Sequence, residues 1–74
     1  MKTEHLISMV NRIGQFFQAM PDRGEALEGI AMHVKRFWEP RMRRELLDYI
    51  DAQGGKGIEP VVLEALRQHR QLLA

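Results

Sequence analysis

The 74-residue sequence contains no cysteine and a single serine, Ser8. The missing cysteines exclude disulfide bonds, thiolate ligands for zinc or iron–sulfur clusters, and a thiol nucleophile. A chain of this size buries only about 60% of the surface that its unfolded form exposes, so its stability must come from helix packing or from a partner. The composition therefore argues against a free-standing enzyme and favours a small accessory domain.

Long apolar runs and an excess of one charge are also missing. The longest apolar runs are three residues, as in 61–63, whereas a membrane-spanning helix needs about 20. The first residues lack the apolar core of a signal peptide. Eleven basic and ten acidic residues leave a net charge of +1, which is too small to attract nucleic acid or anionic lipid in general. We therefore expect a cytoplasmic chain that binds neither nucleic acid nor membrane.

The breaks in the sequence predict its architecture. Proline and glycine interrupt the chain at residue 21, at residue 40 and over residues 54–57, and helical periodicity fills the intervals. Residues 1–74 should form one all-α domain, a small bundle of three to four helices with short turns.

The first two helices have clear local signals. The first should run from about Thr3, its N-cap, to Ala19, with Gly14 at a close helix crossing. The second should begin after Asp22, whose capping box includes Glu25 at the third helical position. The apolar residues predicted to face the core are Leu6, Met9, Val10, Ile13, Phe17 and Met20 on the first helix, and Ala26, Leu27, Ile30, Ala31, Val34, Phe37 and Trp38 on the second.

The remaining helices should each begin at a proline, where the missing N–H costs nothing. The third runs from Pro40 to Gly54-Gly55, where glycine suits a left-handed C-cap. The fourth runs from Pro60 to the end of the chain. Their predicted core residues are Met42, Leu46, Tyr49 and Ile50, and then Val61, Val62, Ala65, Leu66, Leu72 and Leu73.

The titratable residues give no catalytic pattern. Asp48 shares a face of the third helix with Asp51 and with several charged neighbours, which predicts two weak surface pairs, Arg41–Glu45 and Arg44–Asp48. The three histidines (residues 5, 33 and 69) lie on three different helices, without the spacing of a metal site. We expect His33 and His69 to be half-buried and to bond to backbone carbonyls. Ser8 lacks a nucleophile elbow, and the Gly-rich segment 54–57 lacks the features of a phosphate loop.

One segment is unusual, because residues 35–44 hold five cations, two aromatic residues, a methionine and a proline. We name its helix–helix junction, residues 35–44, the basic corner. Arg43 points into the apolar sector of its helix and therefore needs a partner. The partner could be an internal group or a docked protein, and the same cations could contact phosphates. Trp38 could belong to the core or anchor an interface.

The sequence resembles a known family in residues 11–17, 25–33 and, above all, in the string Phe37-Trp38-Glu39-Pro40-Arg41-Met42-Arg43. The family is the delta subunit of soluble, NAD-dependent, molybdenum-containing formate dehydrogenases, and the resemblance covers roughly residues 4–50. It implies a hetero-oligomer in which the large subunit carries bis-molybdopterin guanine dinucleotide and iron–sulfur clusters, while other subunits carry FMN and further clusters. The delta subunit would bind no cofactor and would support assembly or stability of the large catalytic subunit.

The resemblance and the basic corner together predict a partner-binding set without any catalytic, cofactor-binding or metal-binding residue. Its members are Arg36, Trp38, Glu39, Arg41, Met42, Arg43 and Arg44. Two alternatives remain open at this point. The chain could be a maturation chaperone for insertion or sulfuration of the molybdenum cofactor, or it could be a small DNA-binding protein resembling a helix-turn-helix domain, with Arg41, Arg43 and Arg44 on phosphates.

Overall fold

The computed structural model describes residues 2–74 and contains five helices in that range. They are α1 (Thr3–Phe17), α2 (Arg23–Phe37), α3 (Pro40–Gln53), α4 (Pro60–Gln68) and α5 (Arg70–Leu73). The described part of the chain contains no strand, so the predicted all-α bundle is confirmed. None of these helices is both long and apolar enough to cross a bilayer.

The core lies around α2, which packs against α1, α4 and α5. Helix α1 also contacts α3 and α4. Side chains from all five helices share one apolar cluster, whose fully buried members include Leu6, Val10, Ile30, Val34, Leu46, Val62 and Leu66. The helical periodicity of the sequence located this cluster correctly, because each helix buries one stripe.

Several predicted helix boundaries are confirmed by the backbone. The Asp22 side chain accepts a hydrogen bond from the Glu25 N–H at 2.9 Å, as an N-cap should. Pro40 and Pro60 each begin a helix. Gly54 ends α3 with φ +71°, ψ +13°, the left-handed conformation that glycine adopts without steric cost.

Gly14 lies where α1 crosses α4. A methyl group built at this position would collide with the Cγ2 atom of Val62. The expected close crossing is therefore confirmed, and the missing side chain is what allows the two helices to approach each other.

Three predictions for α1 were wrong. Lys2 occupies the N-cap position, and the Thr3 hydroxyl instead donates to Glu45 of α3 at 2.9 Å. The helix ends at Phe17 rather than Ala19. Met9 and Met20 remain 38% and 36% exposed, because the buried stripe is narrower than the periodicity suggested.

The last predicted helix is broken at His69, whose φ and ψ are −108° and +26°. Leu72 N–H bonds to the His69 carbonyl, and this three-residue step tightens the turn. The break buries Leu73 and leaves Leu72 38% exposed, although both were predicted to face the core. His69 Nε2 is buried without a hydrogen-bond partner, so the expected bond to a carbonyl is wrong for this nitrogen.

The surface ion pairs also differ from the prediction. Within residues 2–74, the pairs are Arg23–Glu64 and Arg70–Asp51. Neither Arg41–Glu45 nor Arg44–Asp48 forms in that range. Such exposed pairs have small energies, so tertiary contacts that connect different helices readily replace pairs within one helix.

Candidate functional site

Within the basic corner, only Trp38 and Glu39 lie between the end of α2 and the start of α3. Trp38 has φ −94°, ψ +139° and Glu39 has φ −67°, ψ +150°, so both residues are extended. Pro40 accounts for the conformation of Glu39, since the α region is disfavoured for the residue before a proline. Helix α3 then restarts at Pro40 itself, and the junction is therefore short and sterically constrained.

Trp38 is part of the core, with 5% of its surface exposed. It packs in the same apolar cluster as Leu46, Leu73 and Ile30. Of the two alternatives for this residue, the structure supports the core. The indole fixes the corner by joining the end of α2 to the bundle, because burying so large a side chain stabilises the position of its backbone.

Arg43 finds its partners inside the chain. Its Nη1 donates to the carbonyl of Trp38 at 2.7 Å and to that of Lys35 at 3.2 Å, while Nε donates to the carbonyl of Leu73 at 3.4 Å. The guanidinium thus binds carbonyls at the C-terminal end of α2, where a positive charge also interacts favourably with the helix dipole. These three hydrogen bonds support the internal alternative for this arginine.

The other predicted partner-binding residues lie on the outside of the corner. Arg36, Glu39, Arg41 and Arg44 are exposed, and Met42 is half-buried. Across residues 2–74, none of the four charged side chains makes a hydrogen bond or an ion pair. Their role as partner-binding residues stays a prediction. The structure divides the predicted set into Trp38 and Arg43, which hold the corner, and five residues that are accessible.

Sequence reasoning missed a second surface feature, on the α1–α2 side of the bundle. Phe16 is 74% exposed and Phe37 is 69% exposed, although Phe37 was predicted to belong to the core. Between them lie Phe17 and His33, and the four rings form a chain. Their centroids are 5.1 Å apart for Phe16–Phe17, 6.2 Å for Phe17–His33 and 4.8 Å for His33–Phe37. We name these four residues the aromatic ridge.

Gly29 explains how the ridge forms. A methyl group built on Gly29 would lie 2.5 Å from the Phe17 ring, so the ring rests directly on the α2 backbone. His33 and Phe37 follow at four-residue steps and therefore share a face with Gly29. The sequence signal for the ridge was the four-residue spacing of Gly29, His33 and Phe37 on α2, together with the adjacent phenylalanines of α1. This signal was overlooked because Phe37 also fits the edge of the apolar arc of α2.

The described residues include no group of three or more histidine, aspartate or glutamate side chains that could hold a metal ion. Asp51 is bound by both terminal nitrogens of Arg70, at 3.0 and 2.7 Å. Two surface depressions of about 490 and 330 Å³ are lined by residues 60–68 and by residues 5–12. Neither depression includes a residue of the basic corner.

A protein-family model matches most of the chain. The model of the NADH-dependent formate dehydrogenase delta subunit, FdsD, matches residues 5–66. No curated protein and no solved structure matches the chain. The matched segment contains most of α1, all of α2 and α3 with the basic corner and the aromatic ridge, and most of α4. Since the match covers most of the sequence, this chain belongs to the family of NADH-dependent formate dehydrogenase delta subunits.

Proposed function

We propose that the chain is a cytoplasmic, non-catalytic accessory subunit that binds the large catalytic subunit of the formate dehydrogenase through the exposed side of the basic corner. Family membership implies other formate dehydrogenase subunits as partners. The observation that supports this surface is a set of exposed cations, Arg36, Arg41 and Arg44, that make no ion pair or hydrogen bond within residues 2–74. They lie on a junction held by the buried Trp38 and the half-buried Arg43. Residues 33–47 contain five cations and two carboxylates, a local charge of +3.

The chemistry of these side chains suits recognition of acidic groups. A guanidinium presents a planar fork that binds a carboxylate through two parallel hydrogen bonds. Because Trp38 and Arg43 fix the corner beneath them, the arginine backbones are already ordered before binding, which reduces the entropic cost of association. We further propose that the chain holds no cofactor itself, which agrees with a sequence that offers no thiolate ligand.

Binding of this kind would stabilise the partner by mass action. A chain that binds the folded state of another and not its unfolded state stabilises it by about 2.7 kcal/mol when present at 100 times the dissociation constant. Binding to the partner would stabilise the folded state of this chain in the same way, which matters because its small core provides little stability. An accessory subunit can therefore support assembly without taking part in the reaction.

The test is a binding measurement with purified formate dehydrogenase that lacks the delta subunit. Arg41→Ala/Arg44→Ala should bind at least about tenfold more weakly than wild type, and its affinity should depend less on salt. The matched control is Lys56→Ala/Arg67→Ala, which removes two exposed cations from other parts of the surface. A folded Arg41→Ala/Arg44→Ala variant that binds as tightly as wild type would exclude this surface.

The same exposed guanidiniums favour a second candidate function, a maturation chaperone for the molybdenum cofactor, because they would also bind phosphate groups. The two functions differ in stoichiometry. An accessory subunit stays in the mature enzyme at one copy per catalytic subunit, whereas a chaperone leaves after maturation. Full molybdenum content and full activity of enzyme produced without the subunit would eliminate the chaperone function.

A further inference from the structure

The aromatic ridge exposes two large apolar side chains to solvent. A phenylalanine side chain with 69–74% of its surface exposed presents about 140 Å² to solvent. Phe16 and Phe37 together therefore expose roughly 280 Å², close to the size of the largest apolar patch on a typical monomer.

The ridge is edged by positive charge. Arg12 is one turn before Phe16 on α1, and Arg36 directly precedes Phe37 on α2; both are exposed. Neither side chain makes an ion pair or hydrogen bond in the part of the chain that the structure describes. A surface that covers the ridge must therefore be apolar at its centre and is favoured if carboxylates lie at its margins.

These edges argue against a second copy of the chain as the occupant. In a symmetric dimer each copy presents the same patch, so a cationic edge of one copy would meet a cationic edge of the other. The ridge is also too small for a stable dimer by itself, since a standard interface buries about 800 Å² on each partner. The rest of a standard interface could come from the basic corner, which is continuous with Phe37 along the chain. Its exposed cations also favour an acidic partner.

We infer that the aromatic ridge is the apolar anchor by which this chain docks on the large catalytic subunit, in an apolar groove flanked by carboxylates. The inference rests on the proposed function, since it names the apolar half of the interface whose basic half is the corner. Aromatic residues, phenylalanine among them, and arginine are enriched at protein–protein interfaces. The outer rings pack against the inner ones, Phe16 against Phe17 and Phe37 against His33.

The test measures binding of the full chain to purified formate dehydrogenase that lacks the delta subunit. Phe16→Gln/Phe37→Gln removes both outer rings and keeps good helix-forming residues. We expect its dissociation constant to rise at least about 30-fold, the usual minimum for loss of an interface anchor. The matched control is Leu72→Gln, which removes an exposed apolar side chain from α5 and should bind as wild type does.

A second variant tests the charged edge on α1 without changing the rings or the basic corner. Arg12→Glu should slow association and weaken binding at low salt, with a smaller effect at high salt. This variant also carries the test if circular dichroism shows that the phenylalanine variant does not fold. A crosslinker placed at residue 37 should label the catalytic subunit.

The outcomes separate this inference from the function on which it rests. If wild type does not bind the enzyme, the proposed function fails. If wild type binds and the folded ridge variant binds equally well, the inference fails while the function stands. If wild type self-associates in sedimentation equilibrium, the ridge variant does not, and both bind the enzyme equally, the ridge is a homodimer surface and the inference is overturned.

Discussion

Replacing Arg43 with methionine should destabilise the chain without removing any accessible cation of the basic corner. Methionine keeps an unbranched apolar stem that can pack where the arginine stem packs. The donors are lost, and the carbonyls of Lys35, Trp38 and Leu73 lose their partner. The substitution therefore separates the hydrogen-bonding role of Arg43 from its packing role.

The magnitude follows from the three distances. A hydrogen bond from a charged donor contributes about 1.5–3 kcal/mol, and the 2.7 Å bond to Trp38 should account for most of it. The contacts at 3.2 and 3.4 Å are longer and weaker. Because the site is half-buried, water can bind some of the freed carbonyls and offset part of the lost hydrogen-bond energy. We expect a net destabilisation of about 2–3 kcal/mol, out of a total near 4–11 kcal/mol for a chain of this length.

The assay is urea and thermal unfolding followed by circular dichroism. For a domain of this size the midpoint should fall by about 10–20 °C. Arg41→Met is the matched control and should change stability by less than about 0.5 kcal/mol, because Arg41 is exposed and makes no ion pair with residues 2–74. Arg43→Lys should recover only part of the loss, since one ammonium group cannot reproduce the three-way fork. An Arg43→Met variant as stable as the control would refute the structural role of this arginine.

Three further substitutions test how the helices are held. Asn11→Ala should cost about 1–2 kcal/mol in urea unfolding, because the Asn11 Oδ1 accepts from the Glu59 N–H at 2.9 Å where α4 begins; equal stability would exclude this tie. Gly14→Ala should destabilise by about 1–3 kcal/mol through its collision with Val62. In a double-mutant cycle, Gly14→Ala/Val62→Ala should lose less stability than the sum of the losses in the two single variants, because the smaller side chain relieves the collision. Asp22→Ala should cost about 1 kcal/mol by loss of the α2 N-cap, whereas Asp22→Asn should remain near wild type.

The features that could be predicted from the sequence are those with local causes. The Asp22 cap, the helix starts at Pro40 and Pro60, and the left-handed Gly54 depend on residues within a few positions of each other. Backbone sterics and capping hydrogen bonds determine such features largely without the rest of the fold. The family resemblance also rested on contiguous residues, and the family match confirmed it.

The features that could not be predicted depend on contacts between helices. The hydroxyl of Thr3 bonds to Glu45 of α3 instead of capping its own helix, and no local signal distinguishes these partners. No proline or glycine marks the break at His69, which depends on how Leu73 reaches the core. Phe37 fits the apolar arc of α2 by direction, but its ring lies beside His33 near the helix end. In each case tertiary packing outweighed the local preference.

The string that carries the family resemblance contains both residues that make internal contacts and residues that are accessible, which changes what mutations in it can show. Trp38 and Arg43 are internal contacts, whereas Phe37 and Arg41 are accessible. Loss of binding in a Trp38 or Arg43 variant would therefore report the collapse of the corner rather than a lost contact. Substitutions at accessible positions such as Phe37 and Arg41 leave Trp38 and Arg43 in place, and they can therefore distinguish a docking surface from a structural junction.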